Sequence, residues 1–148
     1  MHEWQGLSEV PNDLAGAAVT IGNFDGVHSG HRAVLTQLVA AAENHGVPAV
    51  VVTFDPHPRH VHRPSDAPPL LTGAKDRNDL LAEAGVDAVL TLEYSLEFAA
   101  QSPREFVRTY FVQGLRARAV VVGEDTRFGA DNTGDVGMLA ELGEEFGF

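Results

Sequence analysis

A mainly parallel α/β sheet, doubly wound with helices on both faces, is the fold class that three features of the sequence predict. Short apolar runs recur at residues 17–21, 47–54, 86–92 and 119–122, and unbroken runs of this length suit strands covered on both faces. Helix-like stretches separate them, the first through Val34, Leu35, Leu38, Val39 and Ala42, and such alternation winds a parallel sheet. The segments richest in glycine, proline and polar residues follow the ends of the runs, where open α/β sheets bind their ligands.

One domain is expected from 148 residues, and 44% hydrophobic with 21% charged content is ordinary for a globular chain. Ten basic against 21 acidic residues give a net charge of -11, which argues against nonspecific binding to nucleic acid or to an anionic membrane. There is no cysteine, hence no disulfide and no thiolate metal site. No apolar stretch approaches the ~20 residues that span a bilayer. Residues 1–7 lack the basic-then-apolar form of an export signal, so a cytoplasmic location is expected.

Residues 1–16 read as an irregular leader with Trp4 as a core anchor. The first strand, through Val19, Thr20 and Ile21, delivers Gly22-Asn23-Phe24-Asp25-Gly26-Val27-His28-Ser29-Gly30-His31. Gly22, Gly26 and Gly30 let the backbone bend sharply and present its amides without an obstructing Cβ. The helix start that follows favours an anion. His28 and His31, three residues apart, project from one side of that start, and imidazoles with pKa near ~6.5 hydrogen-bond phosphate whether neutral or charged. The spacing is neither G-x-G-x-x-G, nor a P-loop, nor the H-E-x-x-H of zinc hydrolases. From spacing alone two readings stand, a phosphate-binding pair or two half-exposed histidines at a helix start. His45-Gly46 ends the helix.

The second strand, 47–54, ends in Thr53-Phe54-Asp55-Pro56-His57-Pro58-Arg59-His60, a loop stiffened by Pro56 and Pro58. His57, His60 and His62 read as solvated loop histidines or as a metal site. Residues 65–71 read as a loop able to close over a ligand. A helix is expected over 74–84, ended by Gly85, with Leu80, Leu81 and Ala84 inward and Arg77 as a surface ion-pair partner. After the third strand come two short helices, 94–99 and 103–111, the second opened by Ser102-Pro103 as cap and first-turn proline. Their aromatic residues read as core and not as a stacking surface. The fourth strand leads into Gly123-Glu124-Asp125-Thr126-Arg127-Phe128-Gly129, where an Asp125–Arg127 ion pair holding the loop is the alternative to ligand contacts from these two residues. A last helix is expected over 136–145.

His28-Ser29-Gly30-His31 matches H-x-G-H, the phosphate-binding signature of the nucleotidyltransferase superfamily. The whole turn resembles the adenylyltransferase domain of bacterial flavin adenine dinucleotide (FAD) synthetases, bifunctional riboflavin kinase/FMN adenylyltransferases. Thr53-Phe54-Asp55-Pro56-His57-Pro58 resembles that family's T-F-D-P-H-P segment, and Val121-Val122-Gly123-Glu124-Asp125-Thr126-Arg127-Phe128-Gly129 resembles its V-V-G-x-[DN]-x-x-F-G. The resemblance covers nearly the whole chain. The chain departs from the pattern at Thr126, where an aromatic residue is common, and at residues 130–133, which lack a basic residue often found there.

The resemblance implies a Rossmann-like nucleotidyltransferase fold and transfer of the adenylyl group of ATP to FMN, giving FAD and pyrophosphate. It implies His28 and His31 as catalytic stabilisers of phosphate charge, assisted by amides near Gly26 and Gly30. Gly22, Asn23, Phe24, Asp25, Gly123, Asp125 and Arg127 fall on the nucleotide and phosphate side. Phe54, Pro56, His57, Pro58, Arg59 and Phe128 fall on the flavin side. Magnesium entering with ATP is implied by the family and by the need to offset an acidic chain, with no direct protein ligand assigned. Asp25 either fixes the turn or holds the solvated metal. The family continues beyond Phe148 with a further phosphate-contacting segment and a riboflavin kinase barrel. Residues 1–148 are therefore expected to be an FMN adenylyltransferase domain, truncated at its C-terminus and without its kinase partner, its activity impaired by the truncation. Two other functions stay open, a noncatalytic nucleotide- or flavin-binding module and a sister nucleotidyltransferase with another acceptor.

Overall fold

Five strands form one sheet in the order β1-β4-β3-β2-β5, every neighbouring pair parallel, in a computed structural model that describes residues 1–25, 29–56 and 74–148. The strands are β1 (His2–Gln5), β2 (Ala17–Ile21), β3 (Ala49–Asp55), β4 (Ala88–Glu93) and β5 (Ala117–Val120). All of β2 and the first five residues of β3 and of β4 are buried. That is the burial an unbroken apolar run requires of a central strand.

The helices divide between the two faces. On one face α1 (Ser29–His45) and α2 (Ala74–Glu83) bring Leu35, Leu38 and Leu81 onto Ala18, Val51 and Val89. On the other, α4 (Pro103–Phe106), which continues as a π-helical stretch over Val107–Gly114, brings Phe106, Phe111 and Leu115 onto Val19, Val50, Val52 and Leu90. The last helix, α5 (Val136–Phe146), closes this side with Leu139 and Leu142. A short α3 (Leu96–Ala99) bridges β4 and α4. The predicted end signals act as expected. Ser102 Oγ accepts from the Glu105 amide at 3.1 Å with Pro103 behind it, and Gly46 and Gly85 take left-handed φ of 64° and 97°.

The leader departs from its expectation. Residues 2–5 form an edge strand, paired from His2↔Ala88 to Gln5↔Thr91, and Trp4 is buried beneath it. Four residues with one apolar side chain carry too little periodicity to announce a strand; the exposed edge of β4 supplies the order. The second short helix runs to Gly114 instead of ending at Phe111. The first begins at Leu96, capped by Ser95 Oγ on the Phe98 amide at 3.0 Å. Tyr94 thereby stays extended beside β3, its amide on the Asp55 carbonyl at 3.0 Å. The loop expected over 65–71 lies outside the described residues, as do His60 and His62.

This topology positions the site. The chain runs β2-α1-β3-α2-β4 outward on one face, then returns across the other face to place β5 on the far side of β2. Connections leaving β2 and β5 therefore diverge to opposite faces, and a crevice opens at their carboxyl ends.

Candidate active site

The cleft at these carboxyl ends has a volume of about 810 Å³. Its first wall is the turn after β2. Gly22 and Asn23 line it, and Phe24 turns back with φ 53° to lay its buried ring beneath the start of α1. A Cβ on Gly22 would stand 2.9 Å from that ring, so glycine is what lets the ring fold home. Gly30 and His31, in the first turn of α1, also face the cleft. The His31 imidazole lies 4.9 Å from the Phe24 ring, centroid to centroid. Asp25 is outside the cleft lining. Gly26 and His28 lie outside the described residues.

The second wall comes from β5. Thr126 N–H closes a turn on the Gly123 carbonyl at 3.1 Å, and Gly123, Glu124, Asp125 and Arg127 line the cleft. The alternative, an Asp125–Arg127 ion pair, is not formed. Arg127 Nη1 instead lies 3.9 Å from Asp135 Oδ2, because Asp135 is fixed as the cap of α5 by accepting from the Met138 amide at 2.8 Å. Asp125 is left facing the cleft. Beyond it, Phe128 and Gly134 exchange backbone hydrogen bonds of 3.1 and 2.8 Å, closing a tight loop that brings Asn132 to the cleft. The Ala130 amide ties that loop to the Gln101 carbonyl at 2.7 Å.

The third wall is aromatic. Phe54 at the end of β3, Tyr94 after β4 and Phe98 on α3 sit with centroids 5.6 to 5.8 Å apart, Phe54 edge-on to both neighbours. Phe106 and Phe128 continue the surface inward at 6.1 Å. Burial pushes the Tyr94 phenol above its ordinary value of 10, so it stays a neutral hydroxyl throughout the physiological range. The expectation that the aromatics after β4 are core holds for Phe106 and Phe111, which are buried. Tyr94 and Phe98 depart from it by lining the cleft half-buried, and they are among the cleft residues that sequence reasoning missed. A signal was available for Tyr94, which, like Gly22, directly follows a strand's carboxyl end.

Of the remaining flavin-side candidates, Pro56 is exposed and outside the cleft lining, and His57, Pro58 and Arg59 lie outside the described residues. Arg77 is not the surface ion-pair partner expected. It is half-buried on α2 with Nη1 3.5 Å from Thr53 Oγ1. Burial lowers its pKa, opposed by the charges of Asp55, Asp25 and Glu3.

Among the described residues no three His, Asp or Glu side chains converge as a metal cage. The cleft carboxylates Glu124 and Asp125 are instead hard oxygen donors of the kind that share a magnesium ion with water and other ligands. Among the described residues no helix is long and apolar enough to cross a membrane.

The fold and the cleft define a doubly wound α/β protein with its ligand crevice at the topological switch point. A family model described as FAD synthetase matches residues 10–148, and the chain belongs to that family. It is 40% identical over 142 residues to an Escherichia coli (strain K12) protein named bifunctional riboflavin kinase/FMN adenylyltransferase, covering 96% of this chain and 45% of that one. A Pseudomonas fluorescens protein of the same name is also 40% identical, with 97% and 46% covered. The chain thus spans less than half the length of these curated relatives. A solved structure titled as a macrolide-efflux protein from Streptococcus pneumoniae superposes with TM-score 0.80 at 23% identity, covering 95% of this chain and 47% of that one, a likeness of fold alone.

Proposed function

We propose that this chain transfers the adenylyl group of ATP to FMN, giving FAD and pyrophosphate, as the adenylyltransferase portion of a longer protein that also carries riboflavin kinase. The observation that carries the reading is one cleft joining a glycine turn and helix start to an aromatic wall. The first suits a polyphosphate and the second a flat heteroaromatic ring. Family membership and relatives named FMN adenylyltransferase support it.

In this reading a phosphate oxygen of FMN attacks the α-phosphorus of ATP, the new P–O–P bond forms, the α–β bond breaks, and pyrophosphate leaves with its electron pair. No residue is covalently modified. His28 and His31 donate to the α-phosphate and the departing pyrophosphate, with backbone amides near Gly26 and Gly30 assisting. Gly22 and Phe24 shape the turn that holds these donors, with Asn23, Asp25, Gly123, Asp125 and Arg127 on the nucleotide side. Phe54, His57, Pro58, Arg59 and Phe128 bound the flavin, joined by Tyr94 and Phe98, while Pro56, outside the cleft lining, stiffens the chain between Phe54 and His57. Magnesium supplied with ATP neutralises phosphate charge that an acidic chain would otherwise repel. Because ATP is the donor, we place the reaction in the cytoplasm.

The test is pyrophosphate release from ATP, with and without FMN, by this chain and by a version extended into the rest of the parent protein. FMN-dependent release by both places a complete transferase within residues 1–148. Release by the longer version alone makes this stretch an incomplete site of the same enzyme. Release by neither, with saturable ligand binding, would replace the reading with a noncatalytic binding module, and release only with another acceptor would make it a sister transferase.

A further inference from the structure

On the face covered by α1 and α2, the sheet changes chemistry one step before its carboxyl end. Ala18, Val51 and Val89 belong to the apolar cluster beneath those helices, and the next side chains on the same face of β2, β3 and β4 are Thr20, Thr53 and Thr91, all buried. A wholly apolar contact would have used valine here. Thr53 has the two partners its hydroxyl needs. It accepts from Arg77 Nη1 and donates to the Asn23 carbonyl, each contact 3.5 Å long. Arg77 Nε reaches Asn78 Oδ1 at 3.4 Å, and Asn78 Nδ2 donates to Glu3 Oε1 on β1. A polar line therefore runs from the edge strand, through helix α2, to the backbone of the turn after β2.

We propose that Arg77 is a positioning residue, which through the Thr53 hydroxyl holds the Asn23 carbonyl and so fixes the turn that carries the phosphate-facing groups. The consequence in the cleft rests on the proposed function; the holding of the turn does not. Asn23 is the pivot, since its carbonyl is held from below, the residue lines the cleft, and its side-chain amide carries a buried Oδ1 with no protein hydrogen-bond partner. Moving the carbonyl moves that amide, and with it Phe24 and the ring on which His31 rests. Arginine suits the position because one planar fork serves Thr53 and Asn78 together, which a single ammonium cannot. Its charge also faces Asp55 and Asp25.

The test is amide hydrogen exchange at Gly22, whose N–H donates to the Val52 carbonyl at 3.1 Å at the foot of the turn, in the full chain without substrate. Thr53→Val and Arg77→Gln should each speed that exchange about tenfold, the double variant no more than either single, and Arg77→Lys should restore little of the protection. In the same variants, kcat for FMN-dependent pyrophosphate release should fall about tenfold with the ATP KM within about twofold. Unchanged Gly22 exchange, additive effects, or full rescue by Arg77→Lys would overturn the proposal. Arg77→Gln, at a half-buried side chain and removing no core volume from the sheet, keeps the test decisive if Thr53→Val does not fold. Loss of Gly22 protection in the variants, beside a wild-type chain that releases no pyrophosphate, would support the relay and count against the proposed activity alone.

Discussion

The imidazole of His31 rests on the ring of Phe24, centroids 4.9 Å apart and planes tilted by 51°. Phe24 holds this place with a left-handed backbone, φ 53°, and a buried ring. Nonglycine residues adopt that conformation only when their surroundings enforce it. The contact makes an apolar side chain the support for a polar one. Phe24→Leu keeps apolar volume but removes the flat support, and FMN-dependent pyrophosphate release should fall about tenfold in kcat; wild-type turnover would show that the ring does not orient His31.

His28→Ala and His31→Ala should each slow adenylyl transfer by ~10²-fold with the thermal midpoint little changed, as loss of a donor to developing phosphate charge does. Single-turnover assays at saturating ATP and FMN check this. Near-normal rates in both variants would remove the histidines from the chemistry.

Gly22→Ala places a Cβ 2.9 Å from the Phe24 ring and should cost roughly 1–3 kcal/mol by overpacking. Urea denaturation measures it. Because the clash is with one ring, the same substitution in a Phe24→Ala background should cost clearly less, and equal costs in both backgrounds would place the strain elsewhere.

Tyr94→Leu and Phe98→Leu should weaken flavin binding about 5–10-fold, the loss of ~1–1.5 kcal/mol of ring contact, while ATP binding stays within twofold. Calorimetric titration of each ligand separates the two. Equal losses for FMN and ATP would mean that the substitutions loosen the cleft as a whole.

Arg104 and Glu145 form a two-pronged ion pair between α4 and α5, and Arg104 also stands over the Phe146 ring at 5.1 Å. The hydrogen bonds from Arg104 hold the Glu145 carboxyl below its ordinary value of 4.5. A folded pKa below the unfolded one gives stability that is complete above pH 4.5 and lost as pH falls through the lower folded value. The effect is small because the pair is exposed. Melting curves of Glu145→Gln should lack this acid-side step, and an unchanged acid profile would assign the step to other carboxylates.

The parallel sheet was legible because β2, β3 and β4 are buried on both faces, and such strands must be apolar throughout. The turn at Gly22 and the loop at Gly123 were legible because tight geometry demands small residues at fixed spacing. β1 was hidden, since its order comes from a neighbouring edge and not from its own four residues. The partner of Arg127 was hidden too. A pair two residues apart looks plausible in sequence, while the carboxylate in reach, Asp135, was fixed by its duty as a helix cap. Arg77 was misplaced for a related reason. Helical periodicity puts it beside Asn78, but only the register of β3 shows that a threonine hydroxyl lies within its reach.

Among the described residues the two outermost strands, β1 and β5, are four residues each and carry Glu3 and Arg118, while the valine-rich β3 is enclosed between β2 and β4. Backbone groups open to another molecule are thus few and flanked by charge, and the segments best able to template cross-β stacking are kept out of reach. Removing residues 2–5 would expose the longer, apolar flank of β4. Such a shortened chain should gather into aggregates at concentrations where the intact one stays dispersed, a liability of solubility that light scattering would detect before any change in the cleft.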